Sequence, residues 1–536
     1  MDSTGKLPPK QDAPKPVAAW RREALLCLSF ANLCLFRVWE SNLTYSRTDT
    51  FFMTDVPSRA DYLAAIAVVF MVAAALFAVV RLCCKYLGPR AFRVVQYLSL
   101  GLIVLPLNGV RASLRTKVWF FQSPVLHSIG KWGAIFVVLP AALAILWAAW
   151  RWQKPIFRVA TGALMVLSPL CIFTFGQAVV DAALYQGRRL RDLPAAPALA
   201  VSGAGPRVVW IVFDEWDYRL TFVDRPAGVS MPATDRLRSE CLSASDARPP
   251  GSDTIISMPA YVTGRVLETT YRGLEFESRQ TEFLRQIRWQ QTPNIFAAAR
   301  SAGFNVALAG YYFPYCRMFN NSLTECAWWP LSLQVNSTGD TLAQKIRGQM
   351  ESLFETSSFS PFGQSLSTRH QARSCQEFLE KAKAEASNPA MGFVFLHAPI
   401  PHAPHAYNRQ TGKFDRENNP LGGYVDSLAL MDRALSEIRQ EMERSGQWER
   451  TALIASSDHP YRASEVIDGK SDPRIPFLLK LPGETKAVAY TGQFNTIVTA
   501  DLVLSILRGQ VSSVEDALAW LEQHRQYSED PVPAGN

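Results

Sequence analysis

The sequence has little histidine and lacks the patterns that mark several other classes of protein. It holds seven His among 536 residues, and it has no internal repeat, no low-complexity tract and no C-x2-C pair. Its 48% hydrophobic and 19% charged residues exclude a disordered chain, a coiled coil and a small disulfide-framed module. The length suits a membrane part followed by one large soluble domain.

Acidic residues are scarce in the first third of the chain. Up to Val180 there are 19 Lys and Arg against 7 Asp and Glu, whereas residues 181–536 sum to −4. The positive charge therefore lies between apolar stretches and not on one face of the later domain. Because nucleic-acid binding usually needs such a face, we predict no nucleic-acid partner.

Long apolar stretches dominate the same region, and a membrane-spanning helix needs about 20 apolar residues. The first of the five stretches is short and the third is marginal. They cover residues 24–39, 62–84, 94–110, 132–150 and 157–180. We therefore predict an integral membrane domain of about five helices.

The distribution of Lys and Arg predicts the orientation, because basic loops stay on the cytoplasmic side. Three basic segments fall on one side if the N-terminus is cytoplasmic, and only the loop 111–131 disagrees. Five crossings then place the later domain outside. The predicted organisation is a cytoplasmic segment 1–23, a transmembrane domain 24–180, a linker 181–206 rich in Pro, Ala and Gly, and an extracytoplasmic domain 207–536.

Helix-like and strand-like segments alternate after the linker. Residues 207–213 (RVVWIVF) form a nearly continuous apolar run, as expected for a strand buried on both faces. Similar runs at 304–309, 391–396 and 451–455 each follow a helix-like segment. This alternation predicts an α/β domain with a mostly parallel sheet.

Residues of the metal-ligand type follow three of these strands. They are Asp214 with Glu215, His397 with His402, and Asp458 with His459. Each pair alone has an ordinary structural explanation, such as a helix cap or a solvated turn. Since ligands bind at the carboxyl edge of such sheets, however, we expect the three pairs to meet there. Carboxylates and imidazoles together suit Zn²⁺, with Mn²⁺ as an alternative.

Residues 251–265 (GSDTIISMPAYVTGR) resemble the nucleophile region of the alkaline phosphatase/sulfatase superfamily. Sulfatases of this superfamily carry C-x-P-S-R, followed a few residues later by T-G-R. When their T-G-R is aligned with residues 263–265 of this sequence, their modified Cys falls on Thr254. The membrane-bound phosphoethanolamine transferases place their Thr nucleophile three residues before S-x-P, which again selects Thr254. Formylglycine requires Cys or Ser, so a Thr favours phosphoryl transfer through a phospho-Thr intermediate over sulfate ester hydrolysis.

The resemblance covers about residues 207–505 and implies the other site residues. One divalent metal is expected, Zn²⁺ first and Mn²⁺ or Ca²⁺ as alternatives. Its ligands would be Glu215 or Asp214, with Thr254, Asp458 and His459. His402, in the family's H-x4-H pattern, would neutralise or protonate the leaving group. Substrate contacts would come from His397, His405 and Arg474.

The chain also departs from the family pattern. Where the family has D-H-G-E, this sequence reads Asp458-His459-Pro460-Tyr461. The transferases carry a further His downstream, which is missing here, and Arg474 or Lys470 would have to replace it. Trp216 stands where the transferases have a small residue.

The resemblance implies a phosphoethanolamine- or phosphoglycerol-type transferase of the bacterial inner membrane, with its catalytic domain in the periplasm. A membrane phospholipid would be the donor and an envelope lipid or glycan the acceptor. Three alternatives remain open: a phosphodiesterase or phosphatase that uses water, a sulfuric ester hydrolase, and an inactive superfamily member that acts in envelope assembly.

Five cysteines lie in or beside the apolar stretches, where small side chains pack well. Cys241, Cys316, Cys326 and Cys375 lie in the later domain, and an even number in an external domain permits disulfides. We favour a Cys316–Cys326 bridge because it closes a short loop, which leaves Cys241–Cys375 by elimination.

Overall fold

The structure is a computed structural model. It describes residues 16–44, 57–113, 130–188, 192–200, 205–266, 292–330, 341–354, 366–415 and 422–525, with Gly339 and three short strands between 269 and 289. These residues form two units. The first contains the helices up to residue 188 together with a helix at 342–352, and the second contains the remaining elements.

The helices are numbered here in chain order. They are α1 (Pro16–Cys34), α2 (Phe36–Leu43), α3 (Arg59–Tyr86), α4 (Pro89–Ser99), α5 (Val104–Ser113), α6 (Gly130–Arg151), α7 (Gln153–Leu167), α8 (Pro169–Arg188), α9 (Tyr218–Phe222), α10 (Pro232–Ser239), α11 (Thr254–Thr263), α12 (Ile295–Ser301), α13 (Tyr315–Phe319), α14 (Leu342–Ser352), α15 (Leu366–Ser387), α16 (Gly423–Arg444), α17 (Glu465–Asp468), α18 (Thr499–Leu507) and α19 (Val514–His524).

Several helices of the first unit are long and apolar enough to cross a membrane. Within the described residues these are Arg59–Tyr86, Pro89–Leu107 and Gln153–Leu184, which overlap the second, third and fifth predicted stretches. Helices α1 and α2 make one further candidate span, bent by 62° at the break between them. Helix α6 covers the fourth stretch, and many of its side chains lie outside the described residues. The number of crossings and the orientation remain predictions.

Helix α14 packs on α3 within the first unit, although it lies far along the chain. The Nζ atom of Lys345 is 2.7 Å from Oδ1 of Asp61, and both side chains are buried. The amide of Gln349 also donates to the backbone carbonyl of Asp61 at 3.1 Å. Asp61 belongs to the capping box that Ser58 forms at the start of α3. No local sequence pattern indicates this contact.

The second unit is built on a mixed sheet whose central strands are parallel. Its strands and those of a small antiparallel sheet (β3-β4-β5) are β1 (Arg207–Asp214), β2 (Leu242–Arg248), β3 (Thr269–Arg272), β4 (Glu275–Ser278), β5 (Arg285–Arg288), β6 (Val306–Tyr312), β7 (Glu325–Pro330), β8 (Phe393–Pro401), β9 (Thr451–Ser457), β10 (Ile475–Lys480), β11 (Val488–Tyr490) and β12 (Phe494–Asn495). The main sheet has the order β11-β2-β10-β9-β1-β8-β6-β7, with β12 beside β2. Only β10 runs antiparallel to its neighbours. This arrangement confirms the predicted α/β fold.

The position of β1 between β9 and β8 in the sheet explains why its sequence is almost continuously apolar. Its residues alternate between two hydrophobic clusters: Val208, Trp210 and Val212 belong to one, and Val209 and Ile211 to the other. Successive side chains of a strand point to opposite faces, so both faces of the sheet are covered.

The four cysteines of the second unit behave in two ways. Cys316 and Cys326 form a disulfide that links α13 to β7. Cys241 and Cys375 are free, so the pairing by elimination is wrong. Both of these thiols lie in an apolar cluster, and burial raises the pKa of each to about 12. They serve as small hydrophobic side chains.

Candidate active site

The register of the parallel strands brings the predicted polar residues to one edge of the sheet. Val212 pairs with His397 of β8, and Phe213 pairs with Ser457 of β9. The next residues, Asp214 and Asp458, therefore emerge side by side. The pairing of β1 with β8 is interrupted at Asp214, where the register shifts. Such an irregularity redirects a side chain at a functional edge.

Asp214, Asp458 and His459 form a buried cluster. One ligand atom from each side chain lies within 4.8 Å of the others. The Nε2 atom of His459 is 3.4 Å from Oδ2 of Asp458 and 3.9 Å from Oδ1 of Asp214. Two carboxylates and one imidazole suit a divalent metal such as Zn²⁺ or Mn²⁺. Three of the predicted ligands are thus brought together.

The cluster also contains polar atoms that a cation would satisfy. Within the described residues, Oδ2 of Asp214 and Nε2 of His397 have no hydrogen-bond partner, and they lie 4.0 Å apart. An unpaired buried polar atom costs about 1–3 kcal/mol. Burial, together with the negative charges of Asp458 and Glu215, raises the pKa of Asp214 well above its usual value. The residues present therefore fit a metal ion, whose identity remains a prediction.

Thr254 occupies the first position of α11 and points into this cluster. Its Oγ1 atom donates to Oδ2 of Asp458 at 2.7 Å, and it lies 3.2 Å from Nε2 of His459 and 3.4 Å from Oδ1 of Asp214. The N-terminus of a helix carries partial positive charge and attracts anions. The predicted nucleophile is thus in contact with all three candidate ligands.

The loop before Thr254 is closely packed on the same helix. A Cβ atom at Gly251 would lie 2.5 Å from Cγ2 of Ile256, so only glycine fits there. The amide of Gly251 donates to Oγ of Ser257 at 3.1 Å. Ser257, the serine of the S-x-P motif, therefore holds the loop that presents Thr254.

Glu215 lies outside the cluster of Asp214, Asp458 and His459, so its role as a metal ligand stays a prediction. Its backbone has a positive φ of 68°, which is rare for a residue with a side chain. Its amide donates to Oδ1 of Asp458 at 3.1 Å, while its carboxylate accepts from Nε of Arg462 at 2.9 Å. This conformation uses the backbone of Glu215 to hold Asp458 and turns the side chain towards Arg462. Asp214 is the acid that contributes to the cluster.

The three predicted histidines of β8 and the following loop lie in different environments. His397 is buried beside Asp214, with Nδ1 2.9 Å from the hydroxyl of Tyr315, and burial lowers its pKa to about 4. His402 is half-buried, and its Nδ1 lies beside the carbonyl of Ala403. His405 is buried, with Nδ1 3.0 Å from Oγ of Ser427. Burial keeps His405 from presenting its ring to an incoming substrate.

The two cations proposed to replace the missing downstream histidine have other partners. The guanidinium of Arg474 donates to both carboxylate oxygens of Asp472 and to the carbonyl of Ser245. The Nζ atom of Lys470 lies 3.1 Å from Oδ2 of Asp224. Both cations are thus paired with carboxylates outside the cluster, and the substrate contact of Arg474 stays a prediction.

The departures from the family pattern have structural roles here. Tyr461, the last residue of the D-H-P-Y segment, stacks on Tyr424 with ring centroids 3.7 Å apart. The hydroxyl of Tyr424 donates to the carbonyl of Glu215 at 2.7 Å. Trp216 is fully buried, and its indole N–H donates to Thr221 at 2.9 Å. These aromatic residues hold the backbone around Glu215.

The sequence interpretation missed Arg462 and Asp253. Arg462 bonds to Glu215 through Nε and to Oδ1 of Asp253 through Nη1, at 2.9 and 2.7 Å. Asp253 directly precedes Thr254. The available signal was a basic residue three positions after His459, in the loop that follows β9.

The buried His405 predicts acid sensitivity. Burial lowers its pKa to about 4, although the negative charge of Glu215 opposes this. The unfolded chain would take up a proton near pH 6.5 while the folded chain would not, so stability is present above pH 6.5 and is lost as the pH falls towards 4. Between pH 7 and 5 this loss is about 2 kcal/mol.

Denaturant unfolding of the detergent-solubilised protein at pH 7 and pH 5 measures this effect. His405→Asn should be less stable at pH 7, because it loses packing against Gly423, and should show a smaller drop between the two pH values. An equal drop in both proteins would contradict the assignment to His405.

Comparison with known proteins agrees with this geometry. The family model described as Sulfatase matches residues 206–508. No curated protein matches the chain. Similar solved structures include Ps i-CgsB in complex with k-i-k-neocarrahexaose, at 14% identity over 61% of this chain and 79% of that one, with a TM-score of 0.43.

Two further solved structures are similar at the same low identity. The phosphonate monoester hydrolase of Agrobacterium radiobacter is 14% identical over 56% of this chain and 73% of that one, with a TM-score of 0.38. The PsFucS1 sulfatase from Pseudoalteromonas sp. is 14% identical over 61% and 75%, with a TM-score of 0.39. Because the Sulfatase model spans more than half of the sequence and includes the strands and the helix that carry the cluster, the chain belongs to the sulfatase family.

Proposed function

We propose that this protein is a membrane-bound, metal-dependent enzyme that transfers a phospho group through Thr254. The observation that carries the proposal is the set of contacts made by the Thr254 hydroxyl. It lies within hydrogen-bond distance of Asp458 and His459 in a buried cluster that fits a divalent cation. A hydroxyl in such a place can act as a nucleophile at neutral pH.

The proposed reaction has two displacements. The Thr254 Oγ1 atom forms a bond to phosphorus, the bond from phosphorus to the leaving alcohol breaks, and Asp458 accepts the hydroxyl proton along its 2.7 Å hydrogen bond. His402 donates a proton to the leaving alkoxide. In the second displacement, the oxygen of an acceptor hydroxyl forms a bond to phosphorus and its proton passes to His402. The bond from phosphorus to Oγ1 of Thr254 breaks, and Asp458 returns the proton to Oγ1. A bound divalent cation would lower the pKa of the Thr254 hydroxyl and offset charge on the phosphoryl oxygens.

The residue type of the nucleophile favours phosphate over sulfate as the transferred group. Thr cannot be converted to the formylglycine that the resemblance associates with sulfatases of this family. A threonine hydroxyl can still form a phosphoester directly. Members of the sulfatase family act on sulfate or phosphate esters, and we assign this chain to phosphate esters.

The apolar helices of the first unit support a membrane phospholipid as donor. An enzyme anchored in the bilayer meets its lipid substrate at a high effective concentration. We therefore propose a phosphoethanolamine- or phosphoglycerol-type donor and an envelope lipid or glycan as acceptor, in a bacterial inner membrane with the second unit in the periplasm. If water served as acceptor, the same site would act as a hydrolase.

Metal content and ester cleavage by the full-length protein in detergent test the proposal. We expect about one bound transition metal per chain, cleavage of bis(p-nitrophenyl) phosphate over p-nitrophenyl sulfate, and a covalent phospho adduct on Thr254 by peptide mass spectrometry. His459→Ala should lose metal and cleavage together. Faster cleavage of the sulfate ester would support a sulfuric ester hydrolase, and no metal and no cleavage with added Zn²⁺ or Mn²⁺ would support an inactive member. Analysis of products from labelled phospholipid separates transfer from hydrolysis.

A further inference from the structure

We propose that Arg462 binds the anionic oxygen of the substrate ester and selects esters that carry a single negative charge. This inference rests on the proposed function, because it concerns the same site. It assigns the anion-binding role to a residue outside the motifs that identify the family, on the loop that follows β9.

The position of Arg462 supports this role. Its Nη1 atom bonds to Asp253, the residue directly before Thr254, at 2.7 Å. Its Nε atom bonds to Glu215, the residue directly after Asp214, at 2.9 Å. The guanidinium therefore spans the gap between the nucleophile helix and the strand that supplies the first acid.

Arg462 also keeps donors available for a ligand. Its side chain is 52% exposed, whereas Glu215 is 6% exposed. Among the described residues, the Nη2 group of Arg462 has no hydrogen-bond partner. A guanidinium held at Nε presents its remaining N–H groups as a planar fork, which suits the two oxygens of a phosphoryl or sulfuryl group.

The charges around the cluster make such a residue necessary. The side chains of Asp214, Glu215, Asp253 and Asp458 are carboxylates, and they would repel an incoming anion. Three other basic side chains are paired with carboxylates that neither belong to the cluster nor adjoin Thr254: Arg474 with Asp472, Lys470 with Asp224, and Arg219 with Asp468.

This balance predicts the charge of the substrate. A bound divalent cation and one guanidinium supply three positive charges against four carboxylates, so the site opposes a doubly charged ligand more than a singly charged one. Phosphodiesters and other singly charged esters should therefore be bound more tightly than phosphate monoesters, which are doubly charged at neutral pH. A membrane phospholipid contains a singly charged phosphodiester and meets this requirement.

The test compares the unchanged protein with Arg462→Met, Arg462→Lys and a control, Arg433→Met. Arg433 has a similarly exposed side chain (47%) and is also bound to a carboxylate, that of Glu437 at 2.7 Å, but it lies on α16. Two quantities are measured on the protein in detergent with Zn²⁺ present: the Kd for dimethyl phosphate, a singly charged diester, by calorimetry, and KM and kcat for bis(p-nitrophenyl) phosphate.

We expect Arg462→Met to raise the Kd for dimethyl phosphate and the KM for bis(p-nitrophenyl) phosphate by about 10- to 100-fold, as for the loss of a charged hydrogen bond, with metal content unchanged. The Kd and KM of Arg462→Lys should lie between those of the unchanged protein and those of Arg462→Met. Added guanidinium should restore part of the binding that Arg462→Met loses. Arg433→Met should match the unchanged protein. The value of kcat/KM should be lower for p-nitrophenyl phosphate, a doubly charged monoester, than for bis(p-nitrophenyl) phosphate.

Several results would overturn the inference. If Arg462→Met left the Kd and KM unchanged and lowered only the melting temperature or kcat, Arg462 would be a structural link between Glu215 and Asp253. Failure of the proposed function is a separate result, because binding of dimethyl phosphate does not depend on turnover. An inactive protein whose binding of dimethyl phosphate is lost in Arg462→Met would still support the anion site, whereas no binding of dimethyl phosphate by the unchanged protein would refute it.

Discussion

Replacing Thr254 by alanine is expected to reduce kcat by about 10³-fold or more, because the variant lacks the hydroxyl that contacts the cluster and would form the covalent intermediate. Thr254→Ser is the matched variant, since it keeps the hydroxyl next to Asp458 and His459. We expect it to retain activity within about tenfold of the unchanged protein. Steady-state cleavage of bis(p-nitrophenyl) phosphate by the three proteins measures the difference.

The same variants separate a nucleophile from a residue that only supports the metal. The phospho adduct should be present at position 254 in the threonine and serine proteins and missing from the alanine protein. Metal content should fall little in Thr254→Ala, because the three remaining cluster residues still offer their ligand atoms. Substantial turnover by Thr254→Ala at normal metal content would refute the covalent mechanism and point to direct attack by water.

Asp214→Asn is expected to abolish the stabilisation of the protein by divalent metal. In the unchanged protein, a cation at 100 times its Kd should raise the free energy of unfolding by about 2.7 kcal/mol. Without metal, the buried Asp214 carboxylate lies next to Asp458 and has an oxygen with no hydrogen bond in the described chain. Removing this charge should therefore make the metal-free variant more stable than the metal-free unchanged protein.

Asp217→Asn is the matched control for this prediction. Asp217 is also buried, burial raises its pKa to about 6, and its Oδ2 atom has no hydrogen bond within the described residues. Its other oxygen caps α9 by accepting from Leu220, which asparagine can also do. This variant should keep the full response to Zn²⁺ in thermal unfolding. If Zn²⁺ stabilised Asp214→Asn as much as the unchanged protein, the cluster would not be the metal site.

Much of the architecture was predictable because it depends on short-range patterns. The apolar run at 207–213 predicts a strand buried on both faces, and the structure gives β1 residues to both hydrophobic clusters. Acids at the carboxyl ends of neighbouring parallel strands meet at one edge, and Asp214 and Asp458 do so, whereas His397 lies within β8, which extends to Pro401, and not after the strand as predicted. The resemblance of residues 251–265 to the family's nucleophile region selected Thr254, which contacts the cluster.

The direction and partners of individual side chains depended on tertiary structure. Asp214 and Glu215 are adjacent and chemically alike, so their sequence alone cannot say which one faces the cluster. The shift of register in β1 and the left-handed backbone of Glu215 decide in favour of Asp214. The choice follows from contacts with Asp458 and Arg462, which lie more than 240 residues away in the chain.

The partners of charged side chains and of cysteines also depended on tertiary structure. Arg474 follows the expected pattern for a substrate contact, yet Asp472 and Ser245 bind its guanidinium, while Arg462 remains half-exposed beside the nucleophile helix. Cys241 and Cys375 were paired by elimination, but both are buried as free thiols. The sequence by itself determined the strands and the edge where the acids meet, since these depend on periodicity and on the order of the elements, and its resemblance to the family singled out Thr254. Only the tertiary structure decided which side chains enter the site, because that depends on packing between distant segments.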